Sequence, residues 1–329
     1  THDNVNTYSI IPAGGSDDDY DFTYVNGTLT VNQKNVAVSA NPQSKVYGDA
    51  DPSLTYTADP LVGTDSFSGS LTRAVGEDVG TYAIGQGTLT AGGNYAITFT
   101  GNALEITQAS SVTVVTCPAS VVYTGSAQEP CTANVTGAGG LNQSTTVAYG
   151  NNTAVGTASA DASFVGDLNH TGSSDTKTFG ITAATASVAL SDLTQTYNGS
   201  AKSATVVTTP GSLSVDVTYD GGATLPTNAG SYAVVATITD ANYSGSATGT
   251  LVIEKAPLTV TPDDKTIEFG SPDPVFTLTY GAFQGSDNVG VIDVLPTAGV
   301  SGAHTVVADY VINVSGGSDN NYSFTYATG

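Results

Sequence analysis

Three histidines, two cysteines and one arginine are the residues of this chain best equipped for chemistry. His2, His170 and His304 lie too far apart for zinc-ligand spacing. Nothing in the sequence assembles a Ser–His–Asp constellation around any of them. A single arginine, Arg73, is a poor basis for clamping phosphate or carboxylate, so enzymatic activity is not expected. Cys117 and Cys131 are close in sequence. In a reducing compartment they would be a free pair; in an extracellular β-module a local disulfide is expected, adding about 3 kcal/mol at most by loop entropy. The acidic residues are the better metal candidates. Asp17, Asp18 and Asp19 form a run, and Asp49, Asp51 and Asp273 fall near motif turns. Calcium takes carboxylate and carbonyl oxygens from such turns, although the spacing matches no EF-hand loop and a solvated hairpin tip explains the run as well. Lys45, Lys177, Lys202 and Lys265 are available for an intramolecular Lys–Asn crosslink, which sequence alone cannot locate. No other cofactor is implied.

The background to these residues is an acidic chain. Seven basic residues face 29 acidic ones, for a formal net charge of -22. Such a surface repels nucleic-acid phosphates and anionic lipid, so nucleic-acid partners are excluded, and it keeps a long array soluble. No apolar run is long enough to span a membrane. With 38 Gly, 17 Tyr and neither Met nor Trp, amid abundant Thr, Val, Ser and Ala, the composition suits strands and turns rather than long helices.

The positioning elements recur. Gly80 to Ile106 reads as two or three strands joined by glycine turns, and its pieces return in register. Gly230-Ser231-Tyr232 repeats its opening, Asn242-Tyr243 its middle and Gly249 to Ile253 its end. Asn94, Asn169, Asn242 and Asn321 are separated by about 75, 73 and 79 residues, a tandem-array period. Along the strands, Tyr95, Ile97 and Phe99 share one face, as do Tyr232, Val234, Ala236 and Ile238, the period of two that marks a half-buried strand. Leu61 to Arg73 is less regular and admits a helical turn. The division that follows is 1–33, the last strands of a preceding unit, then 34–108, 109–183, 184–254 and 255–329, the last without its closing strand. In the first segment Tyr20 to Thr23 matches Tyr95 to Thr98. His170 stands in the slot of Tyr95 and Tyr243, and His304 in that of Tyr82, so packing or turn roles are the simplest for both.

Lys45-Val46-Tyr47-Gly48-Asp49-Ala50-Asp51-Pro52, with Gly80-Thr81-Tyr82 and Asn94-Tyr95-Ala96-Ile97, resembles the MBG domain of the YGX type, which recurs in giant bacterial surface adhesins. Tyr197-Asn198-Gly199 with Asn228-Ala229-Gly230-Ser231-Tyr232 is similar to a sister MBG repeat. Thr116-Cys117-Pro118 through Pro130-Cys131, with Gly166 to Thr171, resembles an Ig-like repeat of the same large proteins. The fourth unit departs from the pattern with Phe269 for the motif tyrosine. The resemblance implies an extracellular, all-β stalk, common in Bacteroidota and including gliding adhesins exported by the type IX system. It carries over no catalytic or ligand-binding residue.

The fold expected is therefore all-β: tandem small β-sandwich-like repeats arranged as an elongated rod, roughly 140–160 Å for four units of ten-residue strands. Tyr82, Tyr95, Phe99, Tyr232, Tyr243, Tyr322 and Phe324 are assigned to the cores, with Cys117–Cys131 as a staple. The partners are neighbouring repeats, and possible outside contacts are surface glycan or cell-surface machinery. An alternative is that the repeats themselves bind glycan or a host surface protein through exposed tyrosines such as Tyr149 or Tyr219.

Overall fold

A computed structural model of the chain describes residues 4–328; His2 lies outside the described residues. Within them there is no α-helix, only two 3-10 turns, Ala138–Gly140 and Val289–Val291. Two compact units are resolved: Thr1–Ala119, Glu129–Asn152 and Thr157–Phe179 in the first, and Ser120–Gln128, Thr153–Gly156 and Gly180–Gly329 in the second.

In the first unit, the sequence alternation of residues 34–107 becomes two facing sheets. The strand Lys34–Ala40 is flanked by the antiparallel Tyr56–Ala58 and the parallel Tyr95–Thr100. The second sheet runs Gln43–Val46, Asn102–Thr107, Gly80–Gly85, Thr72–Arg73, with the first pair parallel and the others antiparallel. Val36 and Val38 from one sheet and Ile84, Leu104 and Ile106 from the other are fully buried between them. Alternate residues of each strand face solvent, so one apolar side per strand is enough to build this core. Leu61 to Arg73 contains one turn, closed by the Asp65 amide on the Val62 carbonyl, instead of a helical segment. Its few apolar residues supply no helical stripe.

Ahead of this lies the hairpin Asn6–Ile10 with Gly27–Val31, paired as Gly80–Gly85 is with Asn102–Thr107. Tyr20 to Thr23, although it matches Tyr95 to Thr98, forms no strand. Its counterpart is held by parallel pairing to Lys34–Ala40, and no described strand lies beside Tyr20. The same unit contains the sheet Ser111–Thr116, Thr132–Gly137, Asn142–Thr145 and the pairing of Ala148–Gly150 with Gly156–Phe164.

The second unit repeats the plan. Thr194–Thr196, Ser246–Glu254, Gly230–Ile238 and Val215–Tyr219 form one four-stranded sheet in the same order and the same parallel and antiparallel sense. Opposite it, Ser187–Ser191 pairs with Thr205–Thr209. Then Ala256–Pro262 takes an antiparallel neighbour, Leu278–Tyr280, and a parallel one, Tyr322–Tyr326. Ser120–Val122 runs parallel to the end of Ser173–Thr182, as Gln43–Val46 does to Asn102–Thr107.

Candidate functional site

The recurring motif residues meet where one repeat joins the next. Asn169 accepts the Val79 amide through Oδ1 at 2.9 Å and donates from Nδ2 to Asp78 Oδ1 at 2.9 Å. Asn321 does the same to the Ala229 amide and Asn228 Oδ1, at 2.8 and 3.3 Å. Asn94 does so to the Val5 amide and Asn4 Oδ1, at 2.9 and 3.1 Å. Asn242 accepts the Val155 amide at 3.0 Å. Each asparagine thus caps an amide in the repeat before its own, satisfying a backbone donor that no ladder reaches.

Local turn chemistry aims these amides and asparagines. In three of the strands a tyrosine folds back and donates its hydroxyl to the carbonyl four residues upstream: Tyr82 to Asp78, Tyr232 to Asn228 and Tyr8 to Asn4, at 2.7–2.8 Å. That bond resembles the tyrosine corner of β-sandwiches, which fixes the entry of a strand. Here it fixes the Asp or Asn that the next repeat's asparagine grips. Where Ala158 replaces the tyrosine, Ala154 stands in place of the Asp or Asn acceptor, and among the described residues the clamp contact of Asn242 is the one to the Val155 amide. On the other side an aspartate two residues earlier accepts the asparagine's own amide, Asp167 for Asn169, Asp240 for Asn242 and Asp319 for Asn321, at 2.7–2.8 Å. These are Asx turns.

Beside Asn169, Asn242 and Asn321, at the first, second and third junctions, stands an aromatic pair. Tyr47 meets His170 edge-on at 5.2 Å between ring centres, Tyr123 meets Tyr243 at 5.5 Å, and Tyr197 meets Tyr322 at 5.6 Å. In every case the first ring comes from the Tyr-Xaa-Gly or Tyr-Gly turn of one repeat and the second follows the asparagine of the next. Edge-to-face pairs of this kind contribute about 0.5–1.5 kcal/mol beyond their buried area. The motif glycines admit the approach. A Cβ on Gly139 (φ +64°) would lie 2.4 Å from the Tyr47 ring, and one on Gly48 (φ +87°) would lie 2.9 Å from Ala138. At the third junction Asp287 Oδ2 accepts both Tyr197 and Tyr322 hydroxyls at 2.8 Å. Burial first, and the Asp287 hydrogen bond after it, push both phenols up to about 12. Tyr197, Leu251 and Ile253 share one buried cluster with Ala256, Leu258 and Tyr322, so apolar packing there is continuous across the junction.

A second constellation lies inside residues 45–77. Lys45, nearly buried, reaches Asp51 at 2.8 Å and Glu77 at 2.5 Å. Arg73 binds Asp51 at 2.6 Å, also pairs with Glu77, and lies over the Tyr82 ring at 5.5 Å. Hydrogen bonds from Arg73 and then Lys45 hold Asp51 down at about 2, while Asp51 and Glu77 raise Lys45. Amide formation needs an uncharged amine and a carbonyl partner that is not a carboxylate anion. The crosslink considered for Lys45 is therefore opposed by its surroundings. The cluster is an ionic clip that ties the Tyr47 loop to the Arg73–Glu77 turn.

The other sequence candidates are placed as follows. Cys117 and Cys131 form a disulfide, with Cα atoms 4.4 Å apart. Tyr95 and Tyr322 are buried; Tyr82, Phe99, Tyr232, Tyr243 and Phe324 are half-buried, and Tyr243 sits in a junction pair. Asp17 accepts the Asp19 amide in an exposed turn, Asp51 is in the clip, and Asp273 contacts His304 at 3.1 Å. Asp49 lends its carbonyl to Lys45. Asp18 is exposed. Among the described residues no three His, Cys, Asp or Glu gather around a point where a metal ion could sit. Tyr149 and Tyr219 are not the exposed rings that a glycan surface would need. Tyr219 is buried with its hydroxyl on the Ala204 amide, and Tyr149 is half-buried with its hydroxyl bonded to the Cys131 backbone. Sequence reasoning missed Asp78, Asn228 and Asn4. Their signal was present as an Asp or Asn four residues before each motif tyrosine.

Comparison with known families matches the MBG domain (YGX type) over residues 36–105 and 258–329, and a second MBG domain over residues 186–257. The chain belongs to the MBG-domain family. Residues 106–185 lie outside these matches; Ser120–Val122 pairs in parallel as in the MBG repeats, whereas the sheet Ser111–Thr116, Thr132–Gly137, Asn142–Thr145 is ordered differently from its MBG counterpart. No curated protein matches the chain. The matched MBG models indicate no catalytic family, and together with the disulfide they fit an extracellular repeat protein. No helix among the described residues is long and apolar enough to cross a membrane.

Proposed function

We propose that this MBG array is a non-catalytic stalk segment of a large cell-surface adhesin. It would carry an adhesive tip away from the cell, and the family resemblance points to the gliding adhesins exported by the type IX system. The observation that carries this reading is the repeated junction, in which the most recurrent residues of the sequence couple one repeat to the next. A chain selected to transmit force must resist extension at its joints as well as inside its repeats. In quasi-one-dimensional arrays, stability is a sum of repeat terms and nearest-neighbour interface terms.

Pulling the chain by its ends tests the proposal. Junction coupling predicts that Asn242→Ala or Asn321→Ala lowers the force at which a neighbouring repeat yields, with the number of unfolding steps unchanged. Unfolding forces indifferent to these substitutions would contradict a load-bearing role. A glycan array probed with the whole chain covers the other function: specific, saturable capture would show that the repeats are themselves binders.

A further inference from the structure

The first junction differs from the others in one ring. Tyr243 and Tyr322 follow their asparagines, whereas His170 follows Asn169. His170 is 5 % exposed. Its Nδ1 faces both Asp167 oxygens, at 2.9 and 3.1 Å, and its Nε2 faces the Ala138 carbonyl at 2.9 Å. Both partners are acceptors. A neutral imidazole has one N–H and one bare lone pair, so in this pocket one nitrogen must point its lone pair at an oxygen; only the imidazolium donates to both.

Few other groups bear on the ring. The Tyr47 loop presents the Tyr47 phenol, and that loop's Asp51 is already held by Lys45 and Arg73. The Gly137–Leu141 turn contributes backbone and an apolar side chain but no ionisable group. From the preceding repeat's strand entry, Asp78 is reached through Asn169. The surroundings are thus anionic or neutral and favour the cation.

We propose that His170 makes the first junction a pH-responsive joint, closed while the imidazole is protonated and loosened when it becomes neutral. The joint lies beside the Asn169 clamp, because Asp167 holds both residues: its Oδ1 accepts the Asn169 and His170 amides. The neutral ring can keep its bond to Asp167 through Nδ1–H only by turning the Nε2 lone pair on the Ala138 carbonyl, so deprotonation loosens either the Ala138 turn packed against the Tyr47 loop or the aspartate that orients the clamp. The Ala138 carbonyl first, with Asp167 adding to it against the effect of burial, raises the His170 pKa above its ordinary value. A raised folded-state pKa means that the stabilisation is complete below the unfolded value near 6.5 and is lost as pH rises through the folded value. Asp167 is lowered in turn: burial opposes, but the bonds from His170 and from the Asn169 and His170 amides outweigh it. Its contribution is lost on the acid side, so the joint is tightest in mildly acidic to neutral solution. The tyrosine pair at the third junction, with phenols near 12, stays closed far beyond that window.

The inference rests on the reading of the junctions as couplers, and the test separates the two. Histidine ring signals of the intact chain are titrated by NMR from pH 5 to 9, with the Val79 and Ala229 amide protection factors measured alongside and corrected for intrinsic exchange. Val79 is expected to lose about ten-fold protection as His170 titrates, while Ala229 does not change. His170→Tyr, which installs the ring used at the other junctions, is expected to flatten the Val79 profile. Asp167→Asn, should the tyrosine variant fold poorly, is expected to move the His170 midpoint down. A Val79 profile that is flat through the His170 titration, a pH dependence that survives His170→Tyr, or a midpoint unmoved by Asp167→Asn would each overturn the proposal. Full Val79 protection in Asn169→Ala would instead refute the coupler reading.

Discussion

Asp287 shows what a single carboxylate does at a junction. It receives one hydroxyl from each of two repeats, so its charge is solvated by both neighbours at once. Tyr197→Phe removes one donor while leaving the ring pair. It is expected to cost about 1.5–3 kcal/mol, as for a hydrogen bond to a charged group, and denaturant melts of the whole chain measure it. The phenol values near 12 give the sign in base: a raised folded value means stabilisation present below the unfolded value of about 10 and lost above it. The Phe variant is expected to show less alkaline destabilisation between pH 10 and 12 than the parent. Asp51 gives the opposite sign. Held at about 2 by Arg73 and Lys45, it contributes above the ordinary carboxylate value and loses that contribution as pH falls towards 2. Melting temperatures at pH 5 and pH 2.5 are expected to differ less in Asp51→Asn than in the parent. An equal drop in both would dismiss the clip.

At the scale of elements, the turns rather than the strands carry the specificity. Gly139 is left-handed and lies under the Tyr47 ring, so any side chain there meets both backbone strain and the ring. Gly139→Val is expected to destabilise the first junction by about 2 kcal/mol or more while leaving the sheet Ser111–Thr116, Thr132–Gly137 intact. Local hydrogen exchange distinguishes this from general unfolding. The disulfide closes the turn between Thr116 and Thr132 at the far end of the same strand pair. Reduction is expected to cost up to about 3 kcal/mol, visible as a lowered melting temperature in reductant.

The strand pattern was legible because alternation is local: Val36 and Val38, or Val234 and Ala236, reveal their buried face within a few residues. The repeat period was legible for the same reason. What the sequence could not reveal was where the motif aromatics point. A tyrosine that packs in its own repeat and one that packs on the next repeat obey the same spacing, because every repeat has an identical neighbour. The roles of the motif residues Tyr47, Tyr123 and Tyr197 therefore stayed hidden until their partners some 120 residues away were visible. Tyr149 and Tyr219 looked free because their hydroxyl partners, backbone groups of Cys131 and Ala204, leave no trace in residue type.

At the scale of the whole molecule, the consequence is that the repeats joined within each compact unit are not independent beads. The third junction shares one apolar cluster between its two repeats, and all three aromatic pairs stand beside an asparagine clamp. Arrays of this kind propagate stability from neighbour to neighbour, so a defect at one joint is felt in the flanking repeats and fades beyond them. An acidic surface of net charge -22 keeps such arrays apart from each other and leaves cohesion to the joints along the chain.

The most direct measurement is native-state hydrogen exchange of the Ala229 amide in the parent chain and in Asn321→Ala. The substitution removes an acceptor that lies 92 residues away in sequence, in the next repeat. If the asparagines couple repeats, Ala229 loses protection by about five- to ten-fold, the equivalent of one hydrogen bond, while the buried ladder amides of Gly230–Ile238 keep theirs. An Ala229 amide as slow to exchange as in the parent, or a loss confined to the repeat that contains Asn321, would contradict the account.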